Sequence, residues 1–141
     1  MPDLEVLENP KTNLASEVIS SDGKTLGKYY FNDNRTPVTF EELPSHLVDA
    51  LIATEDIRFY SHSGIDFKRT VAAAIKLGKD GGGSTITQQL AKLLFTGEGS
   101  RDIIERLTQK FKEYIIAVRL ERHYTKNEII TQYLNLYDFG N

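Results

Sequence analysis

The chain contains no cysteine among its 141 residues. Disulfide bonds, thiolate metal sites and cysteine nucleophiles are therefore excluded, while the cellular compartment stays open. The sequence also lacks a signal peptide and any apolar run of the roughly 18 residues that a membrane-spanning helix needs. Two explanations remain: the protein is soluble, or a membrane anchor lies outside these residues.

The sequence has no excess of positive charge either. Its 17 lysine and arginine residues stand against 20 aspartate and glutamate residues, which gives a formal net charge of -3. This balance gives no general indication of nucleic-acid binding. An apolar content of 40% and a charged content of 26% are typical of a globular protein. The length suits one domain with a hydrophobic core.

The N-terminal part differs from the rest. Residues 1–16 are polar and irregular, and we expect a frayed segment there, followed by one domain over residues 17–141. Two β-prone runs within residues 17–31 flank Asp22 and Gly23, a turn pair that tolerates positive φ, and together they predict a β-hairpin. The pattern then becomes helical, which predicts a mostly α fold.

Apolar residues at helical spacing predict five helices. Ser45 and Ser84 are the predicted N-caps of the first and third helices, and Thr125 with Glu128 predicts a capping box at the fifth. The long fourth helix has an apolar stripe typical of amphipathic helices, through Ile104, Leu107, Phe111, Ile115 and Val118. The predicted helices cover residues 45–56, 66–78, 84–95, 103–124 and 125–137.

Glycine-containing segments separate some of the predicted helices and end the sequence. Gly78 predicts the end of the second helix, a glycine-rich break follows it, and a loop precedes the fourth helix at residues 96–102. The sequence then ends at "DFGN", a glycine-containing turn with no closing element after it. We therefore expect the chain to be a fragment of something longer.

An acidic residue ends the first predicted helix on its apolar face. Glu55 lies four residues after Leu51 and seven after Val48, so it continues the buried face. Burial and the negative end of the helix dipole both disfavour a charged carboxylate there. An acid in an unfavourable place is a candidate general acid or base. Alternatively, Glu55 pairs with a cation or faces water in a bend.

The residues that follow Glu55 also have two interpretations each. Asp56 is either a second acid or the residue that caps and orients the next loop. His62 could titrate or bind a metal, but a structural hydrogen-bonding role is the more common one. Phe59 is most simply a core residue, and Gly64 most simply permits a turn.

Three glycines lead directly into the third helix. Unpaired backbone N–H groups and the positive end of the helix dipole favour an anion such as phosphate at that point. Ser84, Gln88 and Lys92 recur every four residues on one face, flanked by Thr85 and Gln89. Hydroxyls, amides and an ammonium group in one row suit a diphosphate or a sugar. The alternative is an ordinary amphipathic helix with a capped start.

The fourth helix has a charged face beside its apolar stripe. Arg106, Lys110 and Glu113 recur at helical spacing, with Lys112 nearby. A solvated face with paired charges is the ordinary interpretation. The functional one is a cleft wall that steadies a diphosphate leaving group, directly or through a divalent metal.

Taken together, these stretches resemble the peptidoglycan glycosyltransferases, glycosyltransferase family 51. The family pattern E-D-x-x-F-x-x-H-x-G is matched by Glu55, Asp56, Phe59, His62 and Gly64. The second pattern, G-x-S-T-I-T-Q-Q-L-x-K, is matched by residues 82–92; the third, R-K-x-x-E, by residues 109–113; and the fourth, K-x-x-I-L-x-x-Y-L-N, by residues 126–135. The resemblance covers about residues 17–141 and so nearly the whole chain.

The sequence departs from the family patterns at three positions. Gln109 stands where the third pattern usually has arginine, which puts one cationic contact in doubt. Leu93 follows Lys92 where asparagine is common, and Ile130 replaces leucine. The family domain also continues with further helices, and an N-terminal membrane anchor is usual in it.

The resemblance implies a lysozyme-like, mostly helical fold with a cleft between a larger lobe and a smaller, membrane-facing one. It implies a domain on the outer face of the bacterial cytoplasmic membrane that meets lipid II, the growing glycan strand, the membrane surface and other cell-wall synthesis proteins. The reaction joins glycan units by β-1,4 bonds with inversion at the donor. No nucleic acid and no organic cofactor are expected.

The resemblance also implies a role for each site residue. Glu55 is the expected general base, supported by Asp56 and His62. Glu113 is expected to act with Lys110 and Lys112 on the departing diphosphate, and a Mg²⁺ or Mn²⁺ ion held by Glu113 is allowed. The donor sugar and diphosphate are expected to contact Ser84, Thr85, Gln88, Gln89 and Lys92.

Two rival functions stay open. A lysozyme-like hydrolase or lytic transglycosylase would cleave glycan, but such an enzyme needs no diphosphate site, so the glycine-led third helix argues against it. The second rival is a truncated domain that binds lipid II or a partner without turnover.

Overall fold

The computed structural model describes residues 16–29, 36–75, 83–96 and 102–137. The chain divides into two compact units, Met1–Val38 and Thr39–Asn141. Most of the predicted N-terminal segment, the predicted stop at Gly78, most of the glycine-rich break and the "DFGN" turn lie outside the described residues.

The first unit contains the predicted β-hairpin. Strand β1 (Ser16–Ile19) pairs antiparallel with strand β2 (Thr25–Tyr29), with a register shift between Val18 and Ile19. Gly23 has a φ of 80°, a left-handed conformation that glycine adopts without steric cost. The predicted hairpin and its turn are therefore confirmed.

Helices form the described part of the second unit. They are α1 (Ser45–Glu55), α2 (Phe67–Ile75), α3 (Ile86–Ala91), α4 (Ile103–His123) and α5 (Lys126–Leu136). Short 3-10 turns lie at Phe40–Glu42 and Phe59–Ser61, and a π-helical segment, Lys92–Thr96, continues from α3. The predicted mostly α class is confirmed. Within the described ranges, no helix is both long and apolar enough to cross a bilayer.

Two of the predicted helix caps are wrong. Helix α1 begins at Ser45 itself, with Pro44 as its N-cap in an extended conformation. The N-cap of α3 is Thr85, whose side chain accepts a hydrogen bond from the Gln88 backbone N–H. Ser84 does not cap α3; its hydroxyl accepts a hydrogen bond from Lys110. The capping box predicted at the start of α5 is confirmed.

The short helix α3 lies at the centre of the core, where it packs against α4 and α5. Its own apolar side chains are fully buried, and so are those that meet it from the two longer helices. The core residues of these three helices are Ile86, Leu90, Ala91, Ala117, Leu120, Ile129, Ile130 and Tyr133. Helix α3, at whose start the sequence predicts anion binding, is therefore held in place by the packing of its apolar side chains in the core.

Helix α4 does not pack through its apolar stripe. Four members of that stripe are exposed, namely Ile104, Leu107, Phe111 and Ile115. The buried positions are Glu113, Ala117 and Leu120, which follow one another at spacings of four and three residues. This face includes a small residue, Ala117, which allows the backbone of another segment to approach closely.

Candidate active site

Asp56 connects the end of α1 to the start of α3. Its side chain is buried, and its Oδ2 accepts a hydrogen bond of 3.1 Å from the backbone N–H of Ile86. The Nε2 atom of His62 lies 3.1 Å and 3.0 Å from its two carboxylate oxygens. This geometry agrees with the orienting role considered for Asp56 and with the structural role considered for His62.

Gly64 is held between α3 and α4. Its φ of 89° is left-handed, and a Cβ at this position would lie 2.7 Å from the backbone oxygen of Ala117. Its own carbonyl oxygen accepts a hydrogen bond of 2.7 Å from the hydroxyl of Thr85. The position therefore needs glycine for its conformation, as the turn prediction implies, and also for the space that α4 occupies.

These contacts define what we call the anchor cluster: Asp56, His62, Gly64, Thr85 and Gln88. Gln88 is fully buried, and its side-chain oxygen accepts a hydrogen bond of 3.2 Å from the backbone N–H of Thr85. The cluster satisfies backbone groups at the start of α3 and ties three segments of chain together. The side chains of Thr85 and Gln88 thus form hydrogen bonds inside the protein. Their contact with a substrate stays a prediction.

Glu55 points towards α3 from the last residue of α1. It is half-buried, and its Oε2 accepts a hydrogen bond of 2.8 Å from the side-chain amide of Gln89. The other end of that amide, Oε1, accepts a hydrogen bond of 3.0 Å from the hydroxyl of Tyr133. Arg69 donates to the backbone oxygen of Glu55. The candidate base is therefore fixed through both its main chain and its side chain.

The second acid meets the same helix at its start. Lys110 on α4 donates to the hydroxyl of Ser84 at 2.7 Å and to the carboxylate of Glu113 at 2.8 Å. The Glu113 side chain is 5% exposed and that of Lys110 is 37% exposed. A buried carboxylate thus holds an ammonium group whose other side reaches solvent.

We call Glu55, Ser84, Gln89, Lys110 and Glu113 the polar cluster. Its members come from α1, α4 and the segment around the start of α3, and hydrogen bonds link them in two groups. One group offers a carboxylate that can take a proton. The other offers an ammonium group and a hydroxyl that can bind an anion.

Lys92 and Lys112 are the two other lysines that the resemblance assigns to the diphosphate. Lys92 is exposed and begins the π-helical segment. Lys112 is exposed as well, and it lies two residues after Lys110, which is about 200° around an α-helix. Their contact with a diphosphate stays a prediction.

Four contacts went unpredicted, and three of them join distant positions. Tyr133 meets Gln89, as described. Lys126 donates to the backbone oxygen of His62 at 2.7 Å and lies 2.7 Å from the carboxylate of Glu121. Its ammonium group is also 4.2 Å from the centroid of the Phe59 ring, a cation–π contact. Lys126 heads the fourth motif, so the only sequence signal for its role was membership of that motif.

The described residues give little support for a metal site made by the protein alone. Within the described ranges, no group of three or more histidine or acidic side chains could hold a metal ion. Glu113, the predicted metal ligand, already accepts a hydrogen bond from Lys110. A cation so close would compete with a bound metal for the same carboxylate.

Comparison with known proteins gives one family. The model of a family described as "Transglycosylase" matches residues 22–141. Penicillin-binding protein 1F of Bacillus subtilis is 41% identical over 130 residues, which are 89% of this chain and 17% of the relative. Penicillin-binding protein 1A of Escherichia coli is 38% identical over 96% of this chain and 16% of the relative. Penicillin-binding protein 1A of Aquifex aeolicus is 40% identical over 96% of this chain and 18% of the relative. The chain thus spans less than a fifth of the length of these relatives.

Proposed function

The chain belongs to the transglycosylase family, and from this premise we propose that it polymerises lipid II into β-1,4-linked glycan strands with release of polyprenyl diphosphate. The activity is that of a peptidoglycan glycosyltransferase, carried out by a lysozyme-like helical domain. The donor and the acceptor are both membrane-bound glycans.

One observation carries this proposal. The half-buried carboxylate of Glu55 is turned towards the glycine-led helix and bonded to it through Gln89. At the start of the same helix, Ser84 accepts a hydrogen bond from Lys110. A proton acceptor, Glu55, and an anion-binding group, Lys110, are therefore both hydrogen-bonded to the short segment around the start of α3. Glycosyl transfer from a diphosphate needs both of these groups.

The proposed reaction begins with proton removal by Glu55. Gln89 donates to its Oε2, and Oε1 is the oxygen proposed to receive the proton of the acceptor sugar hydroxyl. The acceptor oxygen then forms a bond to the donor anomeric carbon from the face opposite the diphosphate. The anomeric carbon–oxygen bond to the diphosphate breaks, and the electron pair leaves with the diphosphate. Inversion follows from this displacement.

Lys110 is proposed to stabilise the charge on the leaving diphosphate. An ammonium group has three N–H donors, and Ser84 and Glu113 accept two of them. The third donor can reach a phosphate oxygen, and the Ser84 hydroxyl keeps its own proton to donate. Cations that are already in place where charge develops contribute strongly to catalysis. Lys92 and Lys112 are proposed to add to this binding from the exposed side.

The divalent ion stays a separate proposal. The described residues fit a protein-held metal poorly, and the proposed reaction does not require one. An ion that arrives with the diphosphate would supply further neutralisation of its charge.

We propose that the domain works on the outer face of the bacterial cytoplasmic membrane, where lipid II and the growing glycan strand would be its partners. Contacts with the membrane surface and with other cell-wall synthesis proteins belong to the same proposal. It is supported by the bacterial penicillin-binding proteins that the chain resembles.

The proposal is tested by Glu55→Gln in the full-length protein, with lipid II as substrate and glycan products separated by length. We expect the variant to lose about a hundredfold to ten-thousandfold in rate, since the amide cannot accept the proton. Glu41→Gln is the matched control, because Glu41 is exposed and belongs to neither cluster. Polymer formation by Glu55→Gln at the wild-type rate contradicts the assignment. Glycan fragments in place of polymer favour the lytic alternative, and lipid II binding without products favours a binding domain.

A further inference from the structure

The hydroxyl of Tyr133 is the far end of a chain of hydrogen bonds that ends at Glu55. The hydroxyl donates to Oε1 of Gln89 at 3.0 Å, and Nε2 of Gln89 donates to Oε2 of Glu55 at 2.8 Å. The chain crosses from α5 to α3 to α1. Three helices are therefore linked to one carboxylate, α3 directly and α5 through the amide of Gln89.

The amide of Gln89 works only in one of its two orientations. Its oxygen and nitrogen ends have nearly the same shape, but the oxygen only accepts and the nitrogen only donates. If the amide turned over, its oxygen would face the carboxylate of Glu55, and two acceptors would repel each other. A donor at the other end of the amide selects the correct orientation.

Tyr133 is suited to be that donor. Its side chain is 1% exposed, and its ring stacks on Tyr137 with centroids 4.9 Å apart. Burial, then the neighbouring Tyr137 and Glu55, and last a side-chain hydrogen bond with Tyr137, raise the pKa of the Tyr133 phenol above its usual value. The hydroxyl therefore keeps its proton across the range in which an enzyme works, and its oxygen lies 3.0 Å from Oε1 of Gln89, within reach to donate.

We propose that Tyr133 is a positioning residue for glycosyl transfer, acting through the Gln89 amide to hold Glu55 in the orientation that receives the acceptor proton. This inference rests on the proposed function. Tyr133 need not touch the substrate, and its effect belongs to the chemical step. Catalytic groups must be held within about 0.5 Å of their productive geometry.

The test compares Tyr133→Phe with the wild type in the full-length protein, using lipid II polymerisation. Phenylalanine keeps the ring that stacks on Tyr137 and removes only the hydroxyl. We expect kcat to fall about tenfold to a hundredfold, the scale of a displaced catalytic group, with KM within about twofold of the wild type. Tyr60→Phe is the matched control, because it also removes one phenol hydroxyl and Tyr60 is exposed.

A double-mutant cycle separates action through Gln89 from a general structural effect. Gln89→Ala is expected to lower kcat about a hundredfold, which a radiolabelled assay resolves. In that background Tyr133→Phe should change kcat by less than about twofold, since the amide it orients is gone. The same loss in both backgrounds overturns the proposal.

Two further outcomes also decide the matter. If Tyr133→Phe turns over within about twofold of the wild type, or raises KM with kcat unchanged, the positioning role is wrong. If this happens beside an inactive Glu55→Gln variant, the proposed function stands and only the role of Tyr133 falls. Wild-type polymerisation by Glu55→Gln overturns the proposed function and this inference together.

Discussion

Glu55 and Asp56 are neighbours in the sequence, yet they belong to different clusters. Asp56 is 1% exposed, and its carboxylate meets a backbone N–H group of α3 and the ring of His62. Glu55 is half-buried and its carboxylate accepts one side-chain hydrogen bond, from Gln89. Two acids that are adjacent in the sequence and belong to one motif can therefore have different roles. What separates them is how many protein groups each carboxylate already satisfies.

The same division runs through the segment that leads into α3. Thr85 and Gln88 are fully buried and bond to each other's backbone and side-chain atoms. Ser84 and Gln89 are half-buried and bond to the groups proposed to act in catalysis. Substitutions in the anchor cluster should therefore lower stability, whereas substitutions in the polar cluster should lower turnover with the fold intact.

Gly64→Ala should have the largest effect and should appear in stability. The alanine Cβ would lie 2.7 Å from a backbone oxygen of α4, which no side-chain movement can relieve. The left-handed φ costs an alanine about 1–2 kcal/mol, and the steric overlap costs about 3 kcal/mol. We therefore expect the free energy of unfolding to fall by at least about 4 kcal/mol, or the variant to fail to fold. Chemical denaturation measures it.

Gly23→Ala is the matched control for that prediction. Gly23 also has a left-handed φ, of 80°, but nothing lies within 4 Å of an added Cβ. Gly23→Ala should therefore lower the free energy of unfolding only by the cost of the left-handed φ, about 1–2 kcal/mol. Equal losses at the two glycines would show that the approach of Gly64 to α4 does not matter.

Lys110→Ala tests the polar cluster and should lower kcat by about a hundredfold to a thousandfold, the usual loss when a group that stabilises developing charge is removed. Its midpoint of unfolding should fall as well, because the buried carboxylate of Glu113 loses its cationic partner, so kcat is compared under conditions in which both proteins are folded. Lys68→Ala, at an exposed position of α2, is the control. A large loss of stability with kcat unchanged would move Lys110 into the anchor cluster.

Lys112→Ala sharpens the same prediction. Lys112 lies about 200° around α4 from Lys110, so its removal should have the smaller effect on turnover. An effect as large as that of Lys110→Ala would mean that both lysines reach the diphosphate.

Truncating the two neighbouring acids compares the clusters directly. Asp56→Ala leaves the backbone N–H of Ile86 and the ring of His62 without their acceptor, so the free energy of unfolding should fall by about 3 kcal/mol. Glu55→Ala removes a half-buried group with one side-chain partner and should cost about 1 kcal/mol. Turnover should be lost in Glu55→Ala. Denaturation curves for both variants in one buffer decide the order, and the reverse order would contradict the division into clusters.

The parts of this arrangement that the sequence predicts are those encoded by near neighbours. Asp22 and Gly23 predict the hairpin turn, and Thr125 with Glu128 predicts the capping box of α5, because each signal lies within four residues. The helical spacing that places Glu55 four residues after Leu51 predicts its position on the buried face. These features need no knowledge of the rest of the chain.

The features that were missed depend on contacts between distant residues. The N-cap is Thr85, and the hydroxyl of Ser84 instead accepts a hydrogen bond from Lys110, 26 residues away. Tyr133 lies 44 residues from the glutamine that it contacts. The buried face of α4 is set by Ala117, against which Gly64 packs, and not by the larger apolar side chains of its stripe. Tertiary packing decided each of these cases, and no periodicity in the sequence records it.

The pair of Arg58 and Asp66 offers the smallest test, because it supports the fold but belongs to neither cluster. The Asp66 carboxylate accepts a hydrogen bond of 2.7 Å from Arg58 Nε and one of 3.0 Å from the Arg69 backbone N–H. The hydrogen bond from Arg58, opposed by burial, holds the pKa of Asp66 below its usual value of 3.8. A carboxyl group whose pKa is lowered by folding stabilises the folded state above its unfolded pKa and loses that contribution as the pH falls through the folded one.

Asp66→Asn should therefore lower stability at neutral pH, and the difference from the wild type should shrink as the pH falls below about 4. The effect should be small, because the Arg58 side chain is 45% exposed and solvent screens the pair. Urea unfolding midpoints measured from pH 7 to pH 3 check this, with Asp49→Asn at an exposed position of α1 as the control. If the wild-type and Asp66→Asn midpoints stay parallel over the whole range, the carboxylate of Asp66 contributes no charge-dependent stability.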